Sequence, residues 1–195
     1  MLTPGQLPEL LPEELETYAW QLDLPGFSEV AQRKLKAASV LVSRVGGVGG
    51  LVALQLAAAG VGRLILASGG VLQPSDLNRQ LLQTHDHIGQ PRIENILRRI
   101  QALNPRISLQ GHPENISDTN AEQLVGQADI VVDAAPHWCT IPSCLLVKCR
   151  YRLACICSAL ILCKAVLDIV DYPHFLLKRM LHKFVAIRIY LQTPS

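Results

Sequence analysis

A cluster of glycines directly after an apolar segment is the feature of this sequence that most clearly predicts chemistry. The segment Ser39–Ser43 is apolar in its middle and leads into Arg44-Val45-Gly46-Gly47-Val48-Gly49-Gly50, and an alanine-rich helical pattern follows. Glycine lets a backbone turn sharply and approach a phosphate, and the N-terminus of the next helix offers free N–H groups and a positive dipole end. The order strand, glycine turn, helix predicts a nucleotide site, with close packing of helix against strand as the alternative reason for the glycines.

The glycine cluster departs from the dinucleotide-binding fingerprint in two places. The pattern G-x-G-x-x-G would need its first glycine at position 44, where Arg44 stands. The end of the second predicted strand carries Ser68-Gly69-Gly70 instead of the acid that holds the ribose of NAD. An NAD- or FAD-dependent oxidoreductase is therefore disfavoured.

A second set of polar residues completes a family resemblance. Ser75-Asp76-Leu77-Asn78-Arg79-Gln80 is followed by Gly89-Gln90-Pro91-Arg92. Considered alone, Arg79 could form a salt bridge within its loop and Arg92 could be solvated in the first turn of a helix. Together with the glycine turn and the aromatic-rich lead Tyr18-Ala19-Trp20-Gln21-Leu22, these segments resemble, in the right order, the motifs of the E1-like adenylyltransferases, the ThiF/MoeB/HesA family. The resemblance covers about Tyr18 to Pro136 and is closest to the HesA branch.

The resemblance implies ATP-dependent activation of the C-terminal carboxylate of a small ubiquitin-like or sulfur-carrier protein. Gly46, Gly47 and Gly49 would lie against the ATP, and Arg79 would contact its phosphates and act in catalysis. Arg92 would stand where the family has a lysine, which exchanges a compact ammonium for a planar guanidinium. ATP and Mg²⁺ are the expected cofactors, while no metal site made by the protein is predicted. A homodimer is compatible with the resemblance, and neither a nucleic-acid nor a membrane partner is expected.

Three positions depart from the family pattern. Gly70 stands at the ribose-binding aspartate, Pro136 at a magnesium-associated aspartate, and Trp20 at an arginine that a partner subunit lends to the site. The loss of two acids would remove a ribose hydrogen bond and a metal anchor. We therefore expect impaired adenylation, and the alternative function is a non-catalytic nucleotide- or protein-binding module that retains the fold.

The elements that must position these residues alternate between strand and helix. Ser28 is the predicted N-cap of the first clear helix. The predicted elements are helix 27–38, strand 39–43, helix 49–59, strand 63–67, helix 91–103, strand 107–110, a helix from Ser117 or Asp118 to about Gln127, and strand 129–133. This order predicts an α/β fold, a doubly wound Rossmann-like parallel sheet with flanking helices that is incomplete at its C-terminal end.

Charge and cysteine usage change together near Trp138. Of the 18 Lys and Arg residues, 8 lie after it, against 2 of the 16 Asp and Glu residues, and all 6 cysteines lie there as well. Their spacing contains no C-x-x-C pair and matches no common zinc pattern. We predict an N-terminal lead over residues 1–17, a nucleotide-binding domain over 18–137 and an atypical basic tail over 138–195. The tail shows no clear helix or strand period between Cys139 and Cys157, and the chain resembles a truncated member, or one with a replaced C-terminal part.

Two features of the sequence bear on where in the cell the protein is expected. It contains no basic residue before Arg33, whereas a signal peptide needs a basic region followed by an apolar one. The longest apolar stretch of the tail is interrupted by Lys164 and Asp168, so a membrane span is not predicted. A cytoplasmic location is expected.

Overall fold

Five parallel strands form one sheet in the computed structural model, which describes residues 7–134 and 151–154. The strands are β1 Ser39–Ser43, β2 Arg63–Ala67, β3 Ser108–His112, β4 Ile130–Asp133 and β5 Tyr151–Ala154. Their order across the sheet is β3-β2-β1-β4-β5, and every neighbouring pair is parallel. The predicted α/β fold with a Rossmann-like parallel sheet is confirmed.

Helices connect the strands and cover both faces of the sheet. The helices are α1 Pro12–Thr17, α2 Ala19–Leu22, α3 Glu29–Ala37, α4 Gly47–Ala58, α5 Arg92–Leu103 and α6 Ala121–Val125. Two 3₁₀ turns, Pro74–Asp76 and His85–His87, lie in the long connection between β2 and α5.

Alternate residues of the central strands pack into two separate cores. Val40 and Val42 of β1 join a larger core with apolar residues of α3, α4 and α5. Leu41, between them in sequence, points to the opposite face and joins a smaller core with residues of α6. Because side chains alternate across a strand, a central strand that is apolar throughout indicates a sheet covered on both faces.

The N-terminal helices hold the far end of α4. The side-chain amides of Gln21 and Gln32 both donate to the Ala59 carbonyl, at 3.1 and 2.9 Å. The Arg33 guanidinium donates to the Leu7 and Pro8 carbonyls, at 2.8 and 3.0 Å. The last carbonyls of a helix have no partner within it, so the two bonds to Ala59 hold the C-terminus of the helix that begins at the glycine turn, while those of Arg33 hold the N-terminal segment against α3.

Some boundaries differ from the sequence prediction. The helix predicted from Gly49 begins at Gly47, and the strand predicted at 107–110 lies at Ser108–His112, because its hydrogen bonds with β2 set its register. Helix α6 begins after Asn120, whose Oδ1 accepts the Ser117 N–H at 2.9 Å. Ser117 therefore lies in the turn before the helix rather than at its N-cap.

Strand β5 is the one described strand that the sequence pattern did not indicate. It lies between Cys139 and Cys157, where no helix or strand period is evident, and pairs with β4 along its whole length. Parallel pairing supplies the hydrogen bonds that a four-residue segment cannot make alone. The predictions for Pro136, the six cysteines and the rest of the tail concern residues outside the described part of the chain.

Candidate nucleotide-binding site

The candidate site lies where the chain direction across the sheet reverses. From β1 the chain moves outward through β2 to β3, and it then crosses back to β4 on the other side of β1. Open parallel sheets bind ligands at such a switch point, outside the carboxyl ends of the strands. Ser43 and Asp133 end β1 and β4 here, and the glycine turn follows β1 at the same end of the sheet. The region outside these strand ends is called the crevice below.

The glycine turn is built by close backbone contacts. Arg44 adopts a left-handed backbone conformation, with φ 56°, at the position where the dinucleotide fingerprint has a glycine. A Cβ atom on Gly49 would lie 2.4 Å from the Arg44 carbonyl oxygen and 3.0 Å from Ala134 Cβ. Gly49 is thus required by the approach of α4 to the turn and to the end of β4.

The same turn presents the N-terminus of α4 to the crevice. Gly46 is the N-cap and the helix runs for 12 residues from Gly47. A helix of this length leaves its first N–H groups without intrahelical partners and carries a positive dipole end, which favours a bound anion. A Cβ on Gly46 would meet its nearest atom, Gln80 Nε2, at 3.9 Å, an ordinary contact, so Gly46 is not required by close packing as Gly49 is.

The polar loop between β2 and α5 packs directly against this turn. A Cβ on Gly47 would lie 3.3 Å from the Arg79 carbonyl oxygen and 3.5 Å from Arg79 Cγ. The Arg79 side chain is 57% exposed, and its Nη1 donates to the Ser75 carbonyl at 2.7 Å. Arg79 therefore lies beside the first turn of α4, with its guanidinium accessible to a ligand.

A buried carboxylate joins Arg79 to Arg92. Asp76 Oδ1 accepts from Arg79 Nη2 at 3.0 Å, and Asp76 Oδ2 accepts from Arg92 Nη2 at 2.8 Å. Burial favours the neutral acid, but the Gln73 N–H and the guanidiniums of Arg92 and Arg79 favour the charged form more, and the pKa of Asp76 is lowered. The carboxylate is thus ionised at neutral pH.

Arg92 also reaches the end of β2. Gly70 has φ +90°, and a Cβ there would lie 3.8 Å from Arg92 Nη1. The Arg92 N–H donates to the Gly70 carbonyl at 3.1 Å. The guanidinium of Arg92 therefore lies beside the position where the family has its ribose-binding acid.

Two buried polar atoms in this region have no hydrogen-bond partner among the described residues. They are Gln80 Oε1 and Arg92 Nε. Buried polar groups are almost always hydrogen-bonded, so such atoms need an explanation such as a ligand or an ordered water. The glycine turn, the two guanidiniums and the unpartnered Arg92 Nε–H donor fit a phosphate-bearing ligand, whereas Gln80 Oε1 is an acceptor that would need a donor such as water.

The ends of β1 and β4 are linked by side chains. Ser43 Oγ donates to Asp133 Oδ1 at 2.5 Å and accepts the Ala134 N–H at 3.1 Å. Asp133 is 9% exposed. Asp133 therefore helps to hold the carboxyl ends of β1 and β4 together beside the crevice.

The structure brings together the predicted residues Gly46, Gly47, Gly49, Arg79 and Arg92. Sequence reasoning did not single out Asp76, although an acid three residues before an arginine in a polar loop is a signal for an ion pair. Gln80 and Ser43 were also missed, since nothing local distinguishes them. The departure at Pro136 concerns a residue that lies outside the described part of the chain.

The described residues show neither a protein-made metal site nor a membrane span. Within them, no group of three or more His, Cys, Asp or Glu side chains could hold a metal ion. Across residues 7–134 and 151–154, no helix has the length and apolar character needed to cross a bilayer.

Curated proteins with similar sequences match the same part of the chain. Protein HesA, heterocyst, of Trichormus variabilis is 48% identical over 129 residues, which is 66% of this chain and 48% of that protein. The sulfur carrier protein adenylyltransferase of Thermus thermophilus is 38% identical over 128 residues, 66% of this chain and 47% of that protein. The chain thus spans about half the length of these relatives.

Solved structures support the fold. Escherichia coli tRNA N6-threonylcarbamoyladenosine dehydratase, TcdA, in complex with ATP superposes with a TM-score of 0.68 over 75% of this chain and 61% of that one, at 22% identity. This likeness concerns the arrangement of strands and helices. The sequence pattern of the ThiF family matches residues 18–173, a range that includes the glycine turn, both arginines and all five strands. The chain therefore belongs to the ThiF family.

Proposed function

We propose that this chain binds ATP in the crevice and serves an E1-like adenylyltransferase, which activates the C-terminal carboxylate of a small sulfur-carrier or ubiquitin-like protein. The observation that carries this proposal is the meeting of the glycine turn, Arg79 and Arg92 at the switch point of the sheet. ThiF family membership and the similarity to a sulfur carrier protein adenylyltransferase support the reaction and the kind of acceptor.

The residues of the crevice suit a phosphate-centred reaction. In adenylation the carboxylate attacks the α-phosphorus of ATP and pyrophosphate leaves, so that the acceptor gains an adenylyl group. The N-terminus of α4 would hold phosphate oxygens through its free N–H groups. Arg79 would stabilise the charge that develops on the phosphates, which makes the task mainly one of positioning and electrostatics.

Magnesium would enter as the MgATP complex, which is the form of the substrate. Mg²⁺ keeps several waters and is commonly held by substrate phosphates together with one or two carboxylates. Asp76 is engaged by two arginines and Asp133 by Ser43, so neither is free of hydrogen-bond partners.

We further propose a cytoplasmic location and a homodimer as the assembly.

A second candidate function is a non-catalytic module that binds nucleotide or protein. The backbone of Gly70 favours it, because φ +90° is a conformation that an aspartate rarely adopts. The end of β2 is therefore shaped for glycine, and the ribose would lose the hydrogen bond that an acid provides. On this ground we propose that adenylation by this chain is slow.

The test is ATP–pyrophosphate exchange by the full chain with small sulfur-carrier and ubiquitin-like proteins as candidate acceptors. We expect slow exchange that needs an acceptor with a free C-terminal carboxylate, and the same acceptor with an amidated C-terminus is the control. Binding of ATP without exchange would favour the non-catalytic module. The absence of both ATP binding and exchange would contradict the adenylyltransferase and the nucleotide-binding form of the module.

A further inference from the structure

One carboxylate holds both arginines of the crevice, although they belong to different elements. Arg79 follows the 3₁₀ turn Pro74–Asp76, whereas Arg92 is the first residue of α5. Each donates through Nη2 to a different oxygen of Asp76, at 3.0 and 2.8 Å. The Asp76 side chain is 4% exposed, against 57% for Arg79 and 24% for Arg92. One buried carboxylate thus pairs with two guanidiniums, each more exposed than the carboxylate.

The carboxylate is also held by its own turn. The Gln73 N–H donates to Asp76 Oδ2 at 3.0 Å, and the Asp76 N–H donates back to the Gln73 carbonyl at 2.9 Å. The Asp76 carbonyl accepts the N–H groups of Arg79 and Gln80, at 3.2 and 2.9 Å. These bonds add to those from the two guanidiniums in holding Asp76.

The negative charge of Asp76 offsets the repulsion between the two guanidiniums that bond to it. Two cations separated by a short distance repel, and a carboxylate between them turns the repulsion into two charge-assisted hydrogen bonds. Because both guanidiniums bond to one carboxylate, a change at that carboxylate affects both of them. The backbone and Cγ of Arg79 lie beside Gly47, so this coupling extends to the glycine turn.

We infer that Asp76 is a positioning residue, which holds Arg79 and Arg92 as one paired cationic surface against the phosphates of a nucleotide. This inference rests on the proposed function for the identity of the ligand, but the coupling of the two arginines does not depend on it. In this role Asp76 acts through the guanidiniums that it binds.

The first test needs no nucleotide. Asp76→Asn keeps the shape of the side chain but removes its charge and one acceptor oxygen, so neither arginine keeps a salt bridge with this side chain. In ¹⁵N spectra of arginine side chains of the full chain, rotation of both guanidiniums should accelerate by about threefold or more relative to the natural protein. Asp86→Asn is the matched control, because Asp86 pairs with Arg98, 3.7 Å away, and contacts neither crevice arginine. An unchanged rotation of either Arg79 or Arg92 in Asp76→Asn would overturn the inference.

The second test uses calorimetry with MgATP. Asp76→Asn should weaken binding by about tenfold, and Arg79→Gln added to it should cost no more than about threefold further, because the pair is already lost. Binding as tight as that of the natural protein, or tighter, would show that Asp76 competes with the phosphates and would overturn the inference. If the natural protein does not bind MgATP, the proposed function fails, while the side-chain spectra still decide whether Asp76 couples the arginines.

A second variant guards against a folding failure. Asp76→Ser leaves an acceptor for the Gln73 N–H and so preserves the turn, but its hydroxyl is too short to reach both guanidiniums. Backbone amide spectra would verify the fold. The same acceleration of both guanidiniums and the same loss of MgATP affinity are expected, and natural-like values of either would contradict the role assigned to Asp76.

Discussion

The two sides of the crevice are built by different means. The glycine turn is shaped by backbone atoms in close contact, with a left-handed Arg44 and a Gly49 that has no room for a Cβ. The arginine side is shaped by side chains from two segments, which meet on the carboxylate of Asp76. The residues tolerated in the glycine turn are therefore limited by side-chain volume, and those tolerated on the arginine side are limited by charge.

This difference separates folding from ligand binding. A side chain added at the turn would push α4 away from the ends of β1 and β4. Because these three elements contribute to the larger core, the stability of the whole domain would fall. A fault among the partly exposed arginines leaves the core intact and removes positive charge from the crevice. Substitutions on the two sides should therefore give different experimental signatures.

The largest expected effect is on stability, from Gly49→Ala. The added Cβ would lie 2.4 Å from the Arg44 carbonyl oxygen. We expect a loss of about 3 kcal/mol in the free energy of unfolding, the upper part of the range for overpacking. Urea unfolding followed by circular dichroism measures it.

Gly50→Ala is the matched control for that substitution. Its Cβ would meet only Leu82, at 3.6 Å, which is an ordinary contact, and alanine is favoured in a helix. It should be neutral or stabilise by up to about 1 kcal/mol. Equal losses for the two variants would mean that the turn is not closed by contact at Gly49.

The next effect concerns nucleotide affinity. Arg79→Ala should weaken ATP binding by about 1.5–3 kcal/mol, the range for hydrogen bonds to charged groups, with little change in unfolding. Arg98→Ala is the control, since Arg98 is another exposed arginine paired with an acid, at 3.7 Å from Asp86. Calorimetry and thermal unfolding of both variants would separate the roles. Unchanged ATP affinity in Arg79→Ala would remove this residue from the site.

A smaller effect should depend on pH. The pKa of the Asp76 carboxyl is lowered in the folded protein, so its ionised form contributes stability above the unfolded pKa of about 3.9. That contribution is lost as the pH falls through the lower, folded pKa. Asp76→Asn should cost about 1–2 kcal/mol of unfolding free energy at pH 7, and the difference from the natural protein should shrink below about pH 4. A difference that does not change between pH 7 and pH 3 would contradict the ion pairs.

The smallest effect concerns the ribose. Gly70 offers no carboxylate, so ATP and 2′-deoxy-ATP should bind with affinities within about threefold of each other, or about 0.6 kcal/mol. Competition calorimetry with the two nucleotides tests it. A strong preference for ATP would indicate that another group, such as the guanidinium of Arg92, reads the 2′-hydroxyl.

The sequence predicted the elements whose information is local. Strands β1 and β2 were predicted with the bounds that the structure has, because short apolar runs between turn signals are typical of buried strands. The bounds of β3 were shifted and β5 was not predicted, since their hydrogen-bonding partners come from distant parts of the chain. Register and edge pairing are tertiary properties.

The site follows the same division. The glycine turn could be predicted because strand, glycines and helix are consecutive in sequence. The link between Arg79 and Arg92 could not, because it depends on a salt bridge between residues 16 apart, Asp76 and Arg92. Their meeting requires the loop and α5 to fold together.

The claim at the centre of this interpretation is that the crevice binds the phosphates of ATP. Calorimetric titration of the full chain with MgATP and, separately, with NAD tests it most directly. Arg44 and Gly70 disfavour a dinucleotide, so ATP should bind more tightly than NAD, and Arg79→Ala should weaken ATP binding. Tighter binding of NAD than of ATP, or no binding of ATP, would contradict the claim.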